Sequence, residues 1–296
     1  MEFNIPFNWI QFNNYSIKGT IGKTSDTKIL VDGINKSGLC VGTFLFPHYG
    51  EFSDHNIDNK INLFTSDVNK YLLENCNNVD DVINMMSKLN IKKITIDNIM
   101  LSVHWMACDT SGKCIVLEVK NKVLQYYNNT LYVITNSPTF PEQLKNQKKY
   151  NYLSKYNKPD SISEGTGALG MPGDSSSKSR FVRAAFFVKN LVPAINIDQG
   201  LKRIITLLHN FDIPIGSVVN SKTNDQEVAQ YTVAYSLNNF QIQYAPYGYI
   251  KKNNEWYNTS KPVLDIKNVK IQNYSYKIIT ILILVCILIK YCFMKN

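Results

Sequence analysis

Residues 101–120 read Leu-Ser-Val-His-Trp-Met-Ala-Cys-Asp-Thr-Ser-Gly-Lys-Cys-Ile-Val-Leu-Glu-Val-Lys. Two runs rich in β-branched and aromatic residues, Leu101 to Cys108 and Cys114 to Lys120, flank Asp109-Thr110-Ser111-Gly112. Asp and Ser bond their own backbone in turns and Gly tolerates positive φ, so the stretch predicts a β-hairpin. Working outward, Val123 to Tyr127 and Leu131 to Thr135 form an expected second pair around Asn128-Asn129. Gln230 to Ser236 and Phe240 to Ala245 form a third, turning at Asn238-Asn239.

Other segments change period. Val82, Ile83, Met86 and Leu89 fall on one helical face after Asn78, a residue suited to cap it. Leu201, Ile204, Ile205 and Leu208 repeat the spacing after Asp198, and Phe181 to Val188 is a third helical run entered through serines. Hairpins in blocks with helices between them indicate an α+β domain of antiparallel sheets covered by helices.

Hydrophobic residues make up 44% of the 296 and charged residues 19%, ordinary globular usage that supports a buried core. The net charge is +9, but it is carried mostly by Lys scattered among Asn and Ile. Readers of nucleic acid concentrate Arg forks in a patch, so no nucleic-acid partner is expected. The six cysteines form no CxxC pair and the four histidines no HExxH, so no metal or cofactor is expected. No signal peptide is visible at the N-terminus, and the main body reads as cytosolic and reduced, with Cys108 and Cys114 as small core residues. His104, inside a strand, reads as a hydrogen-bonded structural imidazole.

Composition breaks once. Ile278 to Ile289 carries no charge, and the apolar run continues to Met294 past Lys290, which is able to snorkel. Tyr274, Tyr276 and Lys277 flank it as interfacial anchors. The expectation is a domain over 1–255, a polar stalk over 256–276 and a transmembrane tail anchor over 277–294, with the lipid membrane as partner. A buried terminal strand or helix is the competing reading.

The Gly-rich loop from Gly165 to Asp174 lacks the Gly-Lys-Ser/Thr ending, and Pro172 removes a donor a phosphate cradle would need, so it reads as a shaped loop. Arg180 and Arg183 are three apart on one helical face, and at least one is expected to form an ion pair or cap carbonyls.

Several of these segments together resemble one family. Gly38-Leu39 with Phe46-Pro47-His48-Tyr49, the Val103-to-Val119 hairpin, Thr135-Asn136-Ser137-Pro138-Thr139-Phe140, Gly167 to Asp174 with Ser179 to Phe186, and Gln230-Tyr231-Thr232 occur in order. They are similar to the choloylglycine hydrolases, penicillin V acylases and N-acylethanolamine amidases. The resemblance spans about two thirds of the chain. It implies the four-layered αββα sandwich of N-terminal-nucleophile hydrolases. It also implies a cysteine nucleophile whose own α-amine serves as base, with Asn side chains donating to the oxyanion. Carried over residue by residue, Asn136 is the retained oxyanion donor and Glu2 stands at the family's Asp. Leu45 replaces the second oxyanion Asn, and only Lys222 is near the place of the late Arg. The nucleophilic Cys would lie upstream of Met1. The expectation is a membrane-tethered, catalytically inactive relative with an acyl-amide cleft. The alternatives are an active amidase of N-acyl amino acid or bile-salt-like substrates whose start lies upstream, and a protein-interaction module without a pocket.

Overall fold

The computed structural model describes residues 17–258, except 24–27, 97–98, 160–164, 222–223, 225, 230, 247–248 and 253–254. The chain runs β1 (Ile17–Lys23), β2 (Lys28–Asn35), β3 (Cys40–Leu45), β4 (Ile61–Phe64), α1 (Val68–Asn75), α2 (Val79–Met86) and β5 (Leu89–Lys92). Short β6 (Thr95–Ile96) and β7 (Ile99–Met100) precede β8 (Val103–Cys108), β9 (Cys114–Lys120) and β10 (Val123–Asn128). Helices α3 (Phe140–Gln147), α4 (Ser177–Asn190) and α5 (Ile197–Leu208) follow. Then come the hairpins β11 (Tyr231–Ser236) with β12 (Gln241–Pro246), and β13 (Tyr249–Lys252) with β14 (Glu255–Asn258). Strand β14 thus reaches three residues into the stretch read as stalk.

The main sheet has six antiparallel strands in the order β1-β2-β3-β8-β9-β10. Strand alternation sends Val103, Trp105 and Ala107 of β8, with Ile115, Leu117 and Val119 of β9, to one face, where they pack with the apolar sides of α1 and α2. The opposite register, Met106, Cys108, Cys114 and Val116, meets β11, α3, α4 and α5. Both faces are therefore buried, and each large side chain removed from water contributes about 1.5–3 kcal/mol.

Local chemistry places the elements. Asn78 caps α2 by accepting from Asp81 N at 2.9 Å. At the β8–β9 turn Gly112 sits at φ +83, and one Asp109 oxygen accepts from Ser111 N at 2.9 Å. The other accepts from Val79 N at 2.8 Å, tying the hairpin to the start of α2.

Four expectations need correction. Leu131 to Thr135 is not a strand: β10 pairs with β9 through the two-residue turn Asn121-Lys122, both residues left-handed at φ 50 and 62. Leu89 belongs to β5, which pairs in parallel with β4 across α1 and α2, so the pairing is not wholly antiparallel. Helix α5 starts two residues earlier than Asp198 implied, capped by Asn196. Cys108 and Cys114 lie in the core but are joined as a disulfide, because the register sets them opposite each other with Cα atoms 4.2 Å apart. The 277–294 segment lies outside the described residues; among those described, no helix is long and apolar enough to cross a membrane.

Candidate active site

The segment from Thr135 to Phe140 crosses the end of β3 and is held on every side. Thr135 O accepts from His104 Nε2 at 2.9 Å, so that ring nitrogen carries a proton. His104 Nδ1 lies 3.3 Å from Glu118 Oε1, and the same oxygen accepts from Phe140 N at 2.7 Å. Both side chains are buried. Asn136 O accepts from Gln143 Nε2 at 2.6 Å and Ser177 Oγ at 2.8 Å, linking the segment to α3 and α4. His104 is thus the structural imidazole its strand position implied: it and Glu118 support the backbone of the Asn136 segment.

Leu45 meets that segment directly. Ser137 N donates to Leu45 O at 3.2 Å, and Ser137 Oγ donates to Pro47 O at 2.9 Å. The Ser137–Pro138 peptide is cis. Phe46 stacks on His104 at 4.2 Å and carries Tyr49 on the same column at 5.3 Å. His48, exposed beside it, is left-handed at φ 72. The fold therefore brings Asn136 and Leu45 together, two positions that the sequence pairs only through the resemblance. The Leu45 side chain packs toward the α1/α2 core. It supplies no N–H. The buried Asn136 Oδ1 has no hydrogen-bond partner in the structure. A buried amide oxygen left unpaired is uncommon.

Other candidates are placed elsewhere. Glu2 and Lys222 lie outside the described residues. Arg180 donates Nε to Ser175 O at 3.0 Å, and burial pulls its guanidinium down to about 10. Arg183 caps Pro172 O at 2.9 Å and Asp174 O at 2.7 Å, so both arginines bind carbonyls of the loop before α4. Asp174 accepts from Ser176 N and Ser179 Oγ, which hold its carboxyl down at about 2. Of the described cysteines, Cys40 and Cys76 are buried thiols, and burial pushes Cys76 up to about 11. Neither offers an accessible thiolate.

Sequence reasoning missed one network. Tyr231 and Tyr235 of β11 both donate to buried Asp32 of β2, fastening the second hairpin to the main sheet. Burial, and the Asp32 charge after it, raise the Tyr235 hydroxyl well above its ordinary value. The available signal was the Tyr231/Tyr235 spacing, which puts both on one strand face.

Residues 6–272 match the family described as linear amide C–N hydrolases, choloylglycine hydrolase family. The chain belongs to the choloylglycine hydrolase family. It is 36% identical over 245 residues to an uncharacterized protein of Paramecium bursaria Chlorella virus 1, covering 80% of this chain and 86% of that one. It is 30% identical over 253 residues to the conjugated bile acid hydrolase of Lactobacillus gasseri, covering 79% and 78%. A point mutant of the conjugated bile acid hydrolase from Clostridium perfringens superposes with a TM-score of 0.71 at 25% identity, over 99% of this chain and 94% of that one. Penicillin V acylase from Agrobacterium tumefaciens shares the fold, at a TM-score of 0.61 and 20% identity over 83% and 72%. The α+β class with antiparallel sheets is that of these choloylglycine hydrolase relatives.

Proposed function

We propose that the chain is a membrane-tethered member of the family that binds an acyl amide against Asn136 without hydrolysing it. The observation that carries this is the Asn136–Leu45 meeting at the end of β3. Amide hydrolysis needs donors aimed at the oxygen that becomes an oxyanion, and losing one costs about 3–4 kcal/mol in barrier. Asn136 supplies a side-chain amide there, whereas Leu45 supplies only hydrocarbon. Among the described residues, the buried Cys40 and Cys76 and the bonded Cys108–Cys114 pair support the same reading, since none of these four presents a nucleophile.

The αββα layering is supported by α1 and α2 on one face of the main sheet and by β11, α4 and α5 on the other. Tethering rests on the charge-free Ile278-to-Ile289 run and its aromatic and Lys flanks. The competing reading, an active amidase on conjugated bile acids or N-acyl amino acids, is favoured by family membership and by the firm hold on the Asn136 segment through Gln143 and Ser177.

Binding is tested by titrating the full chain with an N-acyl glycine and following heat. Saturable binding that Asn136→Ala weakens about tenfold, the worth of one good hydrogen bond, supports the proposal. Binding unaffected by that change refutes the placement. Membrane tethering is tested separately: removing 277–296 should release the chain from vesicles, and a truncated chain that still pellets after a high-salt wash refutes the anchor.

A further inference from the structure

A cavity of about 680 Å³ opens between the segment after β10, the turn following α3 and one stripe of α4. None of its lining residues belongs to the Asn136–Leu45 site. Its volume lies within the range of small-molecule sites, roughly 300–1,000 Å³.

The stripe on α4 is Val182, Ala185, Phe186 and Lys189, spaced so that all four share one helical side. Leu131 closes the apolar wall. Four tyrosines, Tyr132, Tyr150, Tyr152 and Tyr156, join the lining, with Gln147, Asn151 and Asn190 among its polar members. Tyr150 and Tyr152 are 6.1 Å apart, and the Tyr152 hydroxyl donates to Gly170 O, so this rim is anchored to the Gly-rich loop. Gly170 is left-handed at φ +87, and a Cβ there would fall about 3.1 Å from the Tyr152 ring. The loop's glycine therefore lets that tyrosine lie close.

Charge is one-sided. Among the described lining residues the charged ones are Lys155 and Lys189, with no Asp or Glu. Lys155 lies over the Tyr156 ring, its ammonium 5.3 Å from the centroid. Tyr152 and Tyr156 are 63% and 72% exposed, so the aromatic rim is uncovered in the single chain. An apolar, aromatic interior with two cations at its mouth suits a molecule with a hydrocarbon body and one anionic end.

We infer that this cavity is a second binding site, for an amphiphilic carboxylate, separate from the Asn136 cleft. It needs no amide cleavage, so it stands whether or not the chain turns substrate over.

The test uses the full chain, with decanoate as probe and decanol as its uncharged counterpart, followed by calorimetric titration. Decanoate should bind saturably, one per chain. Lys155→Glu combined with Lys189→Glu changes two exposed residues and should weaken decanoate about tenfold, leaving decanol within about twofold. Ala185→Trp fills the cavity and should weaken both. Because that change risks the fold, the lysine pair is decisive alone. Four results overturn the inference: no saturable decanoate binding, equal decanoate affinity in the lysine variant, loss of binding in Asn136→Ala instead, or a dimer that Tyr156→Ala dissolves and that excludes decanoate.

Discussion

Replacing Glu118 by Leu removes the acceptor shared by the Asn136 segment and the main sheet. Glu118 is 3% exposed and His104 fully buried, so no water takes its place readily. The Phe140 N–H, bonded at 2.7 Å, loses its partner, and His104 Nδ1 loses its neighbour at 3.3 Å. Each buried group left unpaired costs about 1–3 kcal/mol. Breaking a buried pair by removing one member costs about 3–5 kcal/mol, so the total is set at about 3–5 kcal/mol. With a urea slope of roughly 3 kcal/mol per M, the unfolding midpoint falls by about 1–1.7 M. Glu118→Gln keeps a carbonyl for Phe140 N and should cost less than half as much. Urea titration followed by tryptophan fluorescence includes Trp105, which follows His104 on β8 and packs on the opposite face of the sheet. A Glu118→Leu midpoint within about 0.3 M of the parent would show that the network carries little of the stability assigned to it.

Other perturbations follow from single contacts. Asn78→Ala removes the α2 cap and should lower stability by about 1 kcal/mol in the same titration. Asp174 titrates near 2 in the folded chain against an ordinary value of 3.8, so the folded state holds fewer protons between those values. Its stabilisation is complete above about pH 4 and is lost as pH falls through about 2; Asp174→Asn should flatten that acid limb, and an unchanged limb would contradict the Ser176 and Ser179 bonds. Alkylation of the denatured, unreduced chain should modify Cys40 and Cys76 and spare Cys108 and Cys114; peptide mass spectra showing the latter pair alkylated would refute the disulfide.

What was legible in the sequence was local. The β8–β9 hairpin follows from strand alternation and the Asp-Thr-Ser-Gly turn, and α2 from Asn78 and its apolar stripe. The β9–β10 hairpin was misplaced because its turn, Asn121-Lys122, carries no glycine to mark two left-handed residues. Cys108 and Cys114 flank the expected hairpin turn and can meet across it, but a body read as reduced makes them thiols; the structure pairs and joins them. The site is the least local feature. Ser137 bonds Pro47 across 90 residues, and nothing in either segment's periodicity announces the other. Asn136 was found through family resemblance alone, whereas its unpaired side-chain oxygen is visible only in the folded chain.

Turnover tests the central claim most directly. The purified full chain is incubated with glycine-conjugated bile acid, penicillin V and an N-acyl glycine, and the released amine or amino acid is quantified. The account predicts release indistinguishable from that of buffer for all three, while the N-acyl glycine still binds in an Asn136-dependent manner. Release above background that stops when one specific cysteine is alkylated would contradict it, and would make the chain a working amidase.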